Sequence, residues 1–276
     1  MFVRQSPVFR RAHTQVRHYN VLRRLAKMKN IKFELTSFHL HILAMGLMLC
    51  DHLWYAIVPG NDWMTNIGRL AFPIFAFLTV EGFFHTKNRK TYAKRLFAFA
   101  IISEIPFNLV AGSRLFYPIH QNVLLTFVIA VGMMSICEKA KEKSLWTKVL
   151  IYGGVSVLGY LLGTVSFCDY GGAGVLMVLV FYFFRQRKWW CFALQLLCLG
   201  YINTEIISGF YYVIDIFGKE TEVLRQSFAV FALVPIWLYK GKQGIYGRGI
   251  KELYYWFYPV HLALLWAAKE ILLFFA

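Results

Sequence analysis

Asp51 and His52 stand side by side near the end of an apolar run that begins at about residue 36. A carboxylate beside an imidazole can fix its tautomer and steady its cationic form, which is what a general base needs. Adjacent helix residues point about 100° apart, so Asp51 has a second reading as the partner of Arg69. His41, Met45, Met48 and His52 share one stripe of a helix, because positions 41 and 52 lie close to three helical turns apart. Further along, Gly68-Arg69-Leu70-Ala71-Phe72-Pro73 opens a second apolar run that reaches Glu81-Gly82. A third carries Arg95 at its start and Glu104 near its middle, with Asn108 one turn beyond on the same face. Asn122 opens a fourth, and the last holds Tyr254, Tyr258 and His261 on one stripe. Polar groups in such runs are costly and usually face a bundle interior or cavity, where they mark a site. Each also has a plain reading. Glu81 and Asn122 serve equally as interhelical struts, a lone histidine as a packing element, and the aromatics 254–258 as an interface belt.

A basic loop adds a second kind of chemistry. Lys87, Arg89, Lys90, Lys94 and Arg95 crowd nine positions, with Thr86, Asn88, Thr91 and Tyr92 among them. Donors at this density suit a polyanion such as a nucleotide, and they equally suit a topology signal. No phosphate-binding Gly loop and no zinc spacing is present, and no metal site is expected. Cys50, Cys137, Cys168, Cys191 and Cys198 read as small core residues.

The elements that must hold these residues are membrane helices. Apolar residues make up 58% of the 276 and charged residues 16%, against about 45–50% and about 25% in soluble domains. Runs long enough to cross a hydrocarbon core recur throughout, and in lipid they must be helices rather than open strands. The expected fold is an all-α polytopic membrane protein with about nine transmembrane helices, at 36–57, 66–86, 92–111, 121–137, 145–165, 170–184, 189–214, 225–239 and 254–274. Span 189–214 contains Asn203, Thr204 and Glu205, so a break or re-entry is expected there. Of the 30 Lys and Arg, 25 fall in the tail 1–34 and in segments 85–95, 138–148, 185–188 and 239–252, all on one side. The positive-inside rule then gives an N-in, C-out topology. Charge spread over short loops argues against nucleic acid as a partner and for membrane lipid. The tail 1–34 lacks a signal-peptide form. It is expected to be a disordered cytoplasmic segment, a helix on anionic lipid, or the product of an over-long start with Met28 as first residue. Residues 35–276 are expected to form a single transmembrane domain.

In combination these segments resemble the TraX family. Besides those quoted, the resemblance rests on Ile74-Phe75-Ala76-Phe77, Thr86 to Leu96, Ser103-Glu104-Ile105-Pro106-Phe107-Asn108, Asn122-Val123-Leu124, Asp169-Tyr170-Gly171 and Tyr255-Trp256-Phe257-Tyr258-Pro259-Val260-His261-Leu262. It covers residues 36–275. The resemblance implies a bacterial multi-pass membrane acetyltransferase that uses cytoplasmic acetyl-CoA, as in acetylation of a pilin N-terminus. It implies His52 as the catalytic histidine, Asp51 as its partner, and Arg69 in the site. It also implies Arg89 and Arg95 as CoA phosphate ligands with Lys90 and Tyr92 beside them. Glu81, Glu104, Asn108, Asn122 and His261 are candidate site-lining residues. The acceptor is open between an amine, a glycan hydroxyl and another small group, and the route between direct transfer and an acetyl-histidine. The competing function is a transporter or channel for a small polar or anionic solute; the absence of an internal repeat weighs mildly against it. A third is a scaffold without turnover.

Overall fold

Thr36 starts the first helix by accepting from the His39 backbone N–H while the His39 ring returns a bond to the Thr36 N–H, a reciprocal cap that fixes where α1 (Ser37–Ala56) begins. The computed structural model describes residues 34–207, 209–216 and 219–275. Residues 1–33, and with them nearly all of the expected basic tail, lie outside the described residues. After α1 come α2 (Asp62–Gly68), α3 (Ala71–His85), α4 (Arg89–Gly112), α5 (Val123–Lys139), α6 (Leu145–Val165), α7 (Gly171–Phe183) and α8 (Trp189–Tyr201). A π-helical turn at Ile202–Ile206, strands β1 (Tyr211–Ile216) and β2 (Lys219–Leu224), a 3₁₀ segment at Arg225–Ala232, α9 (Leu233–Leu238) and α10 (Arg248–Phe275) complete the order.

The helices sort by how their apolar residues are distributed. α7 is apolar all round, α3 nearly so apart from Thr79, Glu81 and His85, and most of their residues are buried, so they form the centre of the bundle. α6 is the opposite case, with Leu145, Trp146, Leu150, Val157 and Leu161 all exposed. Such a face is tolerated in lipid rather than water. Four segments, Asp62–His85, Arg89–Gly112, Leu145–Val165 and Arg248–Phe275, are long and apolar enough to cross a membrane. The chain is a predominantly helical membrane protein.

Three departures from the sequence reading have local causes. The segment 66–86 is two helices. Pro73 has no N–H to give the Arg69 carbonyl, and the ladder breaks at Arg69-Leu70. The run 189–214 does not continue as a helix. Asn203 and Thr204 turn their side chains back to the carbonyls of Leu199 and Gly200, the π-helical turn follows, and the chain enters an antiparallel hairpin pairing Tyr211 with Leu224. This hairpin is the departure from an all-α chain. Last, α10 begins at Arg248 rather than 254, which places His261 at mid-helix.

The loops fall into two ends, as their charge suggests. At the basic end, Ser37 and Phe38 bond to the carbonyls of Lys242 and Gln243, Arg89 meets Glu138, and Arg187 reaches the carbonyls of Trp237 and Tyr239. At the other end, Gln121 bridges to Cys168, Arg225 pairs with Asp62, and Tyr212 donates to Asn66. Residues Leu35–Ala276 belong to one compact unit.

Candidate functional site

The stripe on α1 and the stripe on α10 face each other. His41 stacks on Tyr254 with ring centroids 3.9 Å apart, and three turns further along His52 meets His261. His52 Nδ1 and His261 Nε2 are 2.7 Å apart, with ring planes within 5° of parallel. The far nitrogen of His261 fixes the direction of this bond. His261 Nδ1 lies 2.7 Å from the carbonyl oxygen of Phe257, which can only accept, so Nδ1 carries the proton. In the neutral pair Nε2 of His261 is then the acceptor and Nδ1 of His52 the donor. His52 is left with a bare Nε2, the atom a general base requires. His261 is buried and His52 half-buried.

This geometry corrects one expectation: the group that orients His52 is His261 rather than Asp51. Asp51 is held elsewhere. Arg69 donates through one terminal nitrogen to both carboxylate oxygens, at 2.6 and 2.8 Å, and Thr65 Oγ1 donates at 2.6 Å. Gly68 makes the approach possible, since a Cβ there would collide with Asp51. The helix break before Pro73 then sets Arg69 against α1. Asp51 and Arg69 therefore form one ion pair that staples α1 to α2, beside His52 in sequence.

A second polar group lies at the same end. Asn122 caps α5 through Leu124 N–H and donates to both the Ala100 carbonyl and Glu104 Oε2, which ties α5 to α4 as its reading as an interhelical strut requires. Asn108 is buried one turn from Glu104. Tyr170, at φ 61°, stacks on Phe72 at 4.0 Å. Asp169 beside it is in electrostatic reach of His52, Arg69, Tyr258 and His120. Asp169, Tyr170 and His120 had no role assigned in the sequence reading. Their apposition depends on the 113–122 and 166–170 loops meeting, which no helical period encodes.

His120 lies outside the apolar segments, with Nε2 3.7 Å from Asp169 Oδ1. Its bond to Asp169, aided by the charges of Asp169 and Glu104, raises its pKa above the ordinary value despite partial burial. A histidine raised in the folded state contributes stability in full below its unfolded pKa of about 6.5 and loses it as pH rises through the folded pKa. The detergent-solubilised protein should lose thermal stability across that window, and His120→Gln should remove that component. Identical pH dependence in the two proteins would contradict the contact.

Between the histidine pair and the basic end runs a cavity of about 340 Å³. His41, Met45 and Met48 line one side and Tyr254, Phe257 and Tyr258 the other; Tyr92, Arg95 and Lys251 lie toward its basic end, with Glu81 on its wall. His52 and His261 do not line it but adjoin its wall: the Tyr258 ring lies 6.4 Å from His52 and 5.7 Å from His261, and Phe257 stacks on His261 at 4.8 Å. The four candidate donor ligands are thereby divided. Tyr92 and Arg95 line the cavity, and Arg95 lies over the Tyr255 ring at 5.5 Å. Arg89 does not line it: its guanidinium bonds Glu138 at 3.1 Å and covers the Phe83 ring at 4.3 Å. Positions 89 and 95 lie about 120° apart around the helix, so they point to different faces. Lys90 is exposed. Lys251 lines the cavity where Arg89 does not; it precedes position 254, where the last apolar run begins, and lies on the turn that α10 gains by starting at Arg248.

The match to the family model described as TraX protein spans residues 37–269. The chain is 29% identical to a probable fimbrial assembly protein FimC, serogroup H1, of Dichelobacter nodosus, over 88% of this chain and 99% of that protein. It is 31% identical to a TraX protein of Escherichia coli, over 51% of this chain and 52% of the relative, and 30% identical to that of strain K12 over similar shares. The chain thus matches about half the length of those two proteins. No solved structure matches it.

Proposed function

This chain belongs to the TraX family, and on that premise we propose that it is an integral membrane acetyltransferase that draws acetyl-CoA from the cytoplasm. The observation that carries the reading is the hydrogen-bonded His52–His261 pair beside a cavity whose lining runs to Arg95 and Lys251 at the basic end. By the positive-inside rule that end faces the cytoplasm, with nine passes leaving the C-terminus outside. Positions 41 and 52 are separated by about 16 Å of helix, a length suited to a long, narrow acyl carrier. The cavity's chemistry fits such a carrier: cations at the mouth for phosphate, and methionine and aromatic walls for the arm.

Bound there, acetyl-CoA supplies an activated acyl carbon and a thiol leaving group. His52 Nε2 takes the proton from the acceptor's amine or hydroxyl as that atom attacks the acyl carbon, then returns it to the departing thiolate. His261 holds the Nδ1–H of His52 throughout and steadies the imidazolium by keeping an acceptor on it. Arg69, ion-paired and partly exposed, is the nearby cation suited to the developing oxyanion, and Asp51 positions it. The acceptor enters from outside, at the end holding Asp169, Tyr170, His120 and Glu104. The likeness to a probable fimbrial assembly protein of Dichelobacter supports a pilin-like amine as acceptor.

Donor binding supplies the test. Arg95→Ala and Lys251→Ala should raise the KM for acetyl-CoA by roughly 10–150-fold, the loss of a charge-assisted phosphate contact. Arg89→Ala should leave that KM near the wild-type value while lowering thermal stability. Normal acetyl-CoA binding in an Arg95→Ala, Lys251→Ala double variant would overturn the donor site.

A further inference from the structure

The basic segment 185–188 was read only as a topology signal, yet two of its residues line a second cavity of about 210 Å³. This cavity shares Glu81, Tyr239 and Gly241 with the larger one, so the two meet along a common rim. Arg185 donates through Nε to Glu81 Oε1 at 2.8 Å, and its two terminal amino groups hold no hydrogen bond among the described residues. Arg187 is clamped to the end of α9 through the carbonyls of Trp237 and Tyr239, which fixes a second guanidinium on the wall. Trp237 is itself fixed. Its indole N–H donates to Gln195 Oε1 at 2.7 Å, and Gln195 donates to the Phe184 carbonyl at 2.9 Å. The Phe192 ring lies 5.3 Å from Trp237 at 38°, making an open aromatic wedge.

Forked guanidinium donors recognise phosphate, and a fixed aromatic face receives a base by stacking. Both line one cavity here, at the end of the bundle where the donor enters. We propose that this second cavity holds the nucleoside-phosphate end of the acyl donor, with the rim at Glu81 and Tyr239 leading its arm into the larger cavity. Arg95 and Lys251 then remain for the other phosphates. This inference rests on the acetyl-CoA reading above.

The test uses the purified full chain and adenosine 3′,5′-bisphosphate, which carries the nucleoside-phosphate end without an arm or acyl group. Wild-type protein should bind it saturably, and Arg185→Gln should weaken binding roughly 10–150-fold. Because Arg185→Gln also frees Glu81, Trp237→Leu provides an independent variant that should weaken binding while leaving that ion pair alone. With acetyl-CoA and acetyl-pantetheine as alternative donors, both substitutions should raise the KM for acetyl-CoA at least about fivefold more than that for acetyl-pantetheine. Unaltered bisphosphate binding in both variants would overturn the proposal. So would equal competition by inorganic phosphate or by anionic lipid vesicles, which would reduce the cavity to a general anion or headgroup site. Bisphosphate binding that depends on Arg185 and Trp237 in a protein without acetyl transfer would uphold the cavity and sink the acetyltransferase reading, so the two failures are distinguishable.

Discussion

Replacing His52 by Ala should lower acetyl transfer by about 10²–10⁴-fold in a protein that still inserts in the membrane and still binds CoA. The expectation follows from the direction of its hydrogen bond. His52 gives its Nδ1 proton to His261 and keeps Nε2 bare, and removal of the imidazole takes away the proton acceptor for the attacking amine or hydroxyl. CoA affinity should hold because the side chains lining the donor cavity do not include His52. His52→Gln provides a variant closer in volume, with an amide that can keep a hydrogen bond to His261 but cannot take up a proton. It should be as inactive as the alanine variant. In the wild type kcat should rise with pH through a single ionisation, and the residual rate of either variant should lack it. Near-normal turnover in a folded His52→Gln protein would remove His52 from the chemistry.

The second large effect belongs to His261, which acts through His52 and so is a positioning residue. His261→Ala should cost roughly 10–100-fold in kcat, the scale on which loss of an orienting partner disables a functional histidine. Without it the His52 ring has no acceptor at Nδ1, and the tautomer protonated at Nε2 becomes as accessible as the other. His261→Gln is the discriminating variant, because its side-chain oxygen can accept the His52 proton. It should recover most of the activity and restore the wild-type pH profile, with the KM for acetyl-CoA unchanged. A packing role alone would make Ala and Gln variants fail together, with stability and KM moving alongside kcat.

Much of this site is legible in the sequence, and what is not has identifiable physical causes. The stripes His41-Met45-Met48-His52 and Tyr254-Tyr258-His261 follow from helical period alone, and both line or adjoin the cavity. Period says nothing of which stripe faces which. The register that joins position 52 to 261 is set by tertiary packing and by an α10 that starts six residues before the apolar run. Asp51 had two readings, and Gly68 together with Pro73 decides for Arg69 by letting the two helices close and by breaking the ladder at residue 69. The basic loop shows the limit of charge density as a signal. Its residues share a segment but not a face, so Arg95 reaches the cavity and Arg89 goes to Glu138. Residues 211–214 fall at the end of the expected span 189–214 because a short apolar run fits either period, and the back-bonded Asn203 and Thr204 decide for the turn.

The central claim is that bare Nε2 of His52 drives acetyl transfer, and acceptor-dependent thiol release tests it most directly. Purified protein in detergent would be given labelled acetyl-CoA and an amine acceptor, and free CoA thiol and labelled acceptor would be measured together against pH. Equal amounts of thiol and labelled acceptor, with a rate that rises through one ionisation absent in His52→Gln, is the predicted result. Thiol release and acetyl transfer that proceed at the wild-type rate in folded His52→Gln would contradict it.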